Sequence, residues 1–238
     1  MVKKKNDSKD IEELKRKNNS ILKLEKIDYR YSDAREDDFV LKNINYNFLC
    51  GKSYAIKGKS GSGKTTLLSL ISGLEKPTNG NIYYEDNSLL TMDLDKYRNT
   101  NIGIIFQSYN LLPHLTAIEN IILSMDISRI KVKNKKQRAL ELMNSVGLSN
   151  SLSERKVLKL SGGEQQRIAI ARSLSYNPKI ILADEPTGNL DKETEDEILN
   201  IFNDLAHKEN KCVIIVTHSK NVCDRVDEVF ELKKAVQR

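Results

Sequence analysis

The eight residues Gly58-Lys59-Ser60-Gly61-Ser62-Gly63-Lys64-Thr65 constrain this chain more than any other stretch, because they stand between a strand pattern, Ser53 to Lys57, and a helix pattern, TTLLSLISGL. Their spacing is GxxxxGK[ST], a turn whose glycines let backbone N–H groups close around phosphate oxygens with no Cβ in the way. The helix opening behind the turn adds positive potential at its N-terminus. In such a cradle Lys64 bridges the β- and γ-phosphates of a nucleotide, the Thr65 hydroxyl reaches a magnesium ion, and Thr66 belongs to the same binding set. The competing reading is a plain glycine-rich turn ahead of a helix. It is the weaker one, since glycine is only about 7% of average sequences and a chance match in this strand-to-helix setting is rare.

Strand and helix patterns alternate on both sides of that loop. Upstream, Leu22, Leu24, Ile27, Tyr29 and Tyr31, then Leu41, Ile44, Tyr46 and Phe48, read as half-buried strands joined by the acidic hairpin loop SDAREDD at 32–38. Downstream, Leu67, Leu68, Leu70, Ile71 and Leu74 share a helix face that Gly73 and Pro77 stop. Strands follow at Asn81 to Tyr84 and Ile102 to Phe106, and then about seventy residues of helical texture. Two buried strands, IILA from Ile180 and CVIIVT from Cys212, flank a helix running roughly from Lys192 to Lys208. The pattern predicts an α/β fold: a mostly parallel core with an α-helical subdomain inserted at approximately 108–175. Residues 1–20 hold too few aliphatics to bury a face and read as a charged disordered tail, which leaves 21–238 as a single domain.

Charge and cysteine content exclude several classes. The net charge of +6 invites a nucleic-acid reading, but the excess is local. Seven basic and four acidic residues lie in 1–20, KVKNKKQR at 131–138 adds five cations and no acid, and the rest carries 27 basic against 29 acidic residues. No nucleic-acid partner is therefore expected, and the basic segment reads as a solvated face. No apolar run approaches a membrane span, and the basic start lacks the apolar stretch of a signal peptide. Cys50, Cys212 and Cys223 show no metal or disulfide spacing, which fits a reducing cytosol.

Two further motifs carry chemistry. The apolar strand from Ile180 ends in Asp184 and Glu185, which supplies one carboxylate for magnesium and one to polarise an attacking water. Alone, such an end would be a strand meeting solvent. In Leu160-Ser161-Gly162-Gly163-Glu164-Gln165-Gln166-Arg167, Ser161 and Glu164 form a capping box, an ordinary helix start. Gly162 and Gly163 inside it cost about 1 kcal/mol each against alanine, so something must compensate. A bare helix N-terminus with a serine hydroxyl is a second anion site. One nucleotide has one set of phosphates, so two anion sites imply two chains sharing each nucleotide.

The phosphate loop, LSGGEQQR and ADEPTGNLD, in that order, resemble the ATP-binding subunit of an ABC transporter over residues 21 to 232. FQSYNLLPHLTAIEN and SGLEKPTNG look most like the branch serving lipoprotein release, macrolide export and antimicrobial-peptide efflux. The resemblance implies a P-loop NTPase core with an N-terminal antiparallel β subdomain, using ATP and Mg2+. Residue by residue, Gln107 resembles the Q-loop glutamine that contacts magnesium and the attacking water, and His218 the switch histidine at the γ-phosphate. Asp191 resembles the aspartate that crosses the dimer interface; by itself it would be a helix cap. Tyr31 resembles the aromatic that stacks on adenine, with Tyr29 as the rival. Ser161, Gly162, Gly163 and Glu164 would act on the ATP of the partner subunit. The resemblance further implies a head-to-tail dimer, with a second copy or a homologous ATPase, and a separately encoded membrane permease at the inner face of the cell membrane. An ABC ATPase that regulates a membrane complex without transporting anything is the alternative, and a small-molecule kinase would leave LSGGEQ unexplained. Three departures stand out. Lys59 fills a loop position that is often proline or apolar, Ser219 follows His218 where aspartate is frequent, and the chain ends at ELKKAVQR without the glycine turn and last strand usual in the branch.

Overall fold

The computed structural model describes residues 20–33, 35 and 38–235. The expected tail thus lies outside the described residues except for Ser20, which opens the first strand. Residues 34, 36 and 37 of the hairpin loop lie outside them as well.

Two sheets organise the chain. Strands β1 (Ser20–Tyr29), β2 (Leu41–Leu49), β4 (Asn79–Tyr84) and β5 (Asn87–Ser88) form an antiparallel sheet in the order β2-β1-β4-β5. Strands β3 (Lys52–Lys57), β6 (Ile102–Phe106), β7 (Ile180–Asp184), β8 (Cys212–Thr217) and β9 (Glu228–Glu231) form a parallel sheet in the order β6-β7-β8-β3-β9. The fold is therefore α/β with an antiparallel β region. Helix α1 (Lys64–Ile71) follows β3, α2 (Leu94–Asn101) precedes β6, and α3 (Ala117–Ile127), α4 (Lys135–Ser145) and α5 (Gly162–Ser173) lie between β6 and β7. Helix α6 (Lys192–His207) links β7 to β8, and the short α7 (Lys220–Asp224) precedes β9. No helix among the described residues is long and apolar enough to cross a membrane.

The parallel sheet is buried on both faces, which is why its strands read as continuous apolar runs rather than alternations. Ile181, Ala183, Val213 and Ile215 face one core, shared with α3, α4, α5 and α6. Ile180, Leu182, Ile214 and Val216 face the other, shared with the antiparallel sheet and α1. The two layers cover the central strands β7 and β8, while the edge strand β9 stays partly exposed.

Besides the two-residue strand β5, three elements escaped the sequence reading. Helix α2 has only Leu94 and Tyr97 as apolar residues, and its order comes from the Asp93 cap and from Tyr97, whose hydroxyl donates to the Ile71 carbonyl at 3.1 Å in the interior. Helix α7 is five residues long, too short to show a period. Strand β9 is a four-residue sheet edge just before the terminus where no strand was expected; Asp227 anchors it by accepting from the Ser53 N–H at 2.7 Å. The stretch between β6 and β7 is also less helical than its texture suggested, with 3-10 turns at Asn150–Leu152 and Val157–Lys159.

Candidate active site

Parallel register brings the carboxyl ends of four strands level. Lys57 pairs with Thr217, Phe106 with Asp184, and Asp184 with Val216. The chain therefore delivers Gly58, Gln107, Glu185 and His218 to one edge of the sheet, the crevice where α/β folds bind ligands. An open cleft of about 480 Å³ lies there, lined by Tyr31, Ser60, Gly61, Gly63, Lys64, Thr65, Thr66, Gln107, Asp184 and Glu185, and by Val40, which the sequence did not single out. That volume suits a ligand of nucleotide size.

The loop from Gly58 to Thr65 is built for an anion. Lys64 Nζ donates to the Gly58 carbonyl at 2.8 Å and the Lys59 carbonyl at 3.2 Å, so its ammonium sits inside the loop. Gly63 has φ of 90°, and a Cβ there would stand 2.8 Å from Leu41 Cδ2 and 2.9 Å from Val40 Cγ1. Only glycine meets both demands. The Ser62 hydroxyl is buried with no hydrogen-bond partner, an orphaned polar atom within the cradle. The Thr65 hydroxyl favours the charged form of the Asp184 carboxyl. Burial pushes the Asp184 carboxyl above the usual aspartate range and the neighbouring Glu185 adds to this, while the Thr65 hydrogen bond and the Lys64 charge oppose it.

Glu185 turns the chain at φ 46°, a left-handed conformation uncommon outside glycine. Its N–H donates to the Val216 carbonyl at 2.9 Å. Its Oε2 accepts from the Thr217 hydroxyl at 3.2 Å and the His218 N–H at 3.3 Å, and its Oε1 meets His218 Nδ1 at 2.7 Å. Gln107 Nε2 lies 3.4 Å from Asn189 Oδ1, tying the end of β6 to the TGNLD turn. Ser219, in the place where relatives often carry aspartate, donates to Glu195 Oε1 at 3.2 Å and caps α7. Asn189, Thr217 and Glu195 were not legible beforehand, because each acts through a partner distant in sequence.

The two candidate tyrosines separate cleanly. Tyr29 is a core residue, 6% exposed, whereas Tyr31 is 49% exposed with its hydroxyl 3.0 Å from Thr66 Oγ1 at the cleft. Ser161, Gly162, Gly163 and Glu164 are not brought to the cleft. They form a capping box, with Glu164 Oε2 accepting from the Ser161 N–H at 2.7 Å. A Cβ on Gly163 would meet Thr194 Cγ2 at 2.6 Å, so close packing of α5 on the first turn of α6 accounts for that glycine. Asp191 caps α6, accepting from the Thr194 N–H at 2.9 Å and hydroxyl at 2.8 Å; these bonds hold its carboxyl below the usual range.

Residues 41–188 match the model of the ABC transporter family. This chain belongs to that family. Like other ABC cassettes it is an ATP-binding ATPase. YclH, an uncharacterized ABC transporter ATP-binding protein of Bacillus subtilis, is 45% identical over 215 residues, 90% of this chain and 94% of its own length. LolD, the lipoprotein-releasing system ATP-binding protein of Rickettsia bellii, is 42% identical over 90% of this ABC subunit and 96% of its own. The dimeric structure of the ABC transporter cassette MJ0796 of Methanocaldococcus jannaschii superposes with a TM-score of 0.81 at 39% identity, over 90% of this chain and 94% of that one. A post-hydrolysis MJ0796 dimer bound to ADP and Pi superposes equally well, at 0.81.

Proposed function

We propose that this ABC ATPase, with residues 21–238 as one working unit, powers export or extraction of a substrate by a separate membrane permease, at the cytoplasmic face of the membrane. The observation that carries the reading is the division of the anion-binding elements. The phosphate loop and the carboxylates of Asp184 and Glu185 line one cleft, while the capped helix start at Ser161 to Glu164 lies outside it. Two copies arranged head to tail would complete each other's sites, as the dimeric state of MJ0796 encourages. Export or extraction is favoured by the likeness to LolD, whose name assigns it to lipoprotein release.

Each residue then has a task. Lys64 leaves the loop carbonyls for the β- and γ-phosphates, and Tyr31 stacks on adenine. Thr65, Asp184 and Gln107 offer the hard oxygen donors that suit Mg2+, which when bound would neutralise phosphate charge. Glu185 orients and polarises the attacking water, and His218 holds the γ-phosphate. Across the interface Ser161, Gly162 and Gly163 of the second copy cover that phosphate, with Glu164 fixing Ser161 and Asp191 at the contact. Loss of the γ-phosphate removes contacts between the copies and biases the pair toward opening.

The test is Glu185→Gln. With ATP it should bind nucleotide, cease turnover and elute at twice the monomer mass in size exclusion; normal turnover, or a persistent monomer, overturns the reading. Co-purification with the adjacent gene's product, and a compound that stimulates ATPase activity of the complex, would identify permease and substrate.

A further inference from the structure

We propose that Glu195 is a positioning residue for the Glu185 and His218 pair, an inference that rests on the roles just assigned to those two. Glu195 lies in the first turn of α6, where its N–H donates to the Asp191 carbonyl at 2.8 Å. One carboxylate oxygen, Oε1, accepts two hydroxyls: Thr187 Oγ1 at 3.1 Å and Ser219 Oγ at 3.2 Å. Thr187 stands two residues after Glu185 and Ser219 one after His218. The loops leaving β7 and β8 therefore hang from a single atom on a third element.

Hydroxyl chemistry gives the arrangement a direction, because each hydroxyl has one proton to donate. Ser219 Oγ accepts from the Val222 N–H at 3.4 Å, and its proton goes to Glu195. The Ser219 N–H donates to Thr217 Oγ1 at 2.9 Å, so the Thr217 proton goes to Glu185 Oε2 at 3.2 Å. Glu195 thus holds the Ser219 side chain, the Ser219 backbone N–H holds Thr217, and Thr217 holds the carboxylate facing the cleft. The second arm acts on the other side of Glu185: Thr187 is buried, and the Gly188 N–H donates to the Glu185 carbonyl at 3.1 Å to close the turn. Glu195 itself lines no part of the cleft. Its loss should loosen the water-orienting pair while leaving the phosphate loop as it is.

The experiment is steady-state ATPase kinetics and ATP binding on the full-length protein. Glu195→Ala should lower kcat roughly tenfold, the worth of one charge-assisted hydrogen bond, with KM and ATP affinity changed by less than about twofold. Glu195→Gln keeps an acceptor oxygen and should hold kcat within about twofold of the parent. Ser219→Ala cuts one of the two arms and should lower kcat by up to the loss in Glu195→Ala, and the double variant should be no worse than Glu195→Ala alone. A wild-type kcat in Glu195→Ala or Ser219→Ala, additive losses, or kcat and KM falling together with thermal stability would overturn the proposal. Should Glu195→Ala fail to fold, Ser219→Ala and Glu195→Gln still decide it. Glu185→Gln separates the two levels: if that variant turns over, the underlying reading fails, whereas an inactive Glu185→Gln beside a fully active Glu195→Ala sinks only the role of Glu195.

Discussion

Glu185 Oε1 stands 2.7 Å from His218 Nδ1, with the glutamate side chain 15% exposed and the histidine 73% exposed. One end of the imidazole is held by a sheltered carboxylate while the rest of the ring faces solvent, so the histidine is aimed without being buried. His218→Ala should cut kcat by about 10²-fold or more, with ATP affinity nearly intact. A variant hydrolysing at the parental rate would remove His218 from the site.

Lys64 donates to two loop carbonyls, and the role proposed for it is to bind the ligand's phosphates. Lys64→Ala should weaken ATP binding by about 10²-fold in titration calorimetry. Unchanged affinity would count against the phosphate loop.

The tyrosines should respond in opposite ways. Tyr31→Ala is predicted to weaken ATP binding about fivefold to tenfold through loss of stacking, with little change in Tm. Tyr29→Ala should instead destabilise the fold by about 3 kcal/mol in denaturant unfolding, as expected for emptying a core site. Equal effects on ATP affinity would return Tyr29 to consideration.

Asp184 couples stability to function. Its carboxyl titrates above the ordinary aspartate value because burial disfavours the charge. The folded state therefore binds that proton more tightly than the unfolded chain, and the cost of the charged form is fully present once pH exceeds the raised folded value. Asp184→Asn should raise the Tm of the nucleotide-free protein near neutral pH by about 2 °C, a gain that disappears as the pH drops below the ordinary aspartate range. Mg2+-dependent ATP hydrolysis should be lost in the same variant. A lower Tm at neutral pH, or retained hydrolysis, refutes the assignment.

Gly163 offers a packing test. Gly163→Ala should lower stability by about 1–3 kcal/mol through the clash with Thr194 Cγ2. Adding Thr194→Ser removes that methyl, retains the hydroxyl on Asp191, and should restore most of the loss.

Much of this protein was readable locally. The loop from Gly58 to Thr65, the strand ending at Asp184, and the capped helix start at Ser161 each depend on neighbours within a few residues, so spacing alone reveals their geometry. The buried strands at Ile180 and Cys212 were legible because a sheet covered on both faces demands continuous apolar runs. Helix α2 and strand β9 were not, since their order comes from Tyr97 beneath the Ile71 carbonyl and from Asp227 on Ser53, contacts between distant segments.

The amino-acid sequence by itself determined which chemistry the chain carries, because phosphate cradles, caps and strand-end carboxylates are short-range patterns. Only the tertiary structure decided how that chemistry is shared out. Parallel register brought Gln107, Glu185 and His218 to one edge, while the packing of the antiparallel sheet and the helices around it put Tyr31 rather than Tyr29 beside the cleft, kept Ser161 out of it, and hung two loops from Glu195. Those outcomes depend on which strand ends lie side by side, a property of pairing across the whole chain that no local spacing encodes.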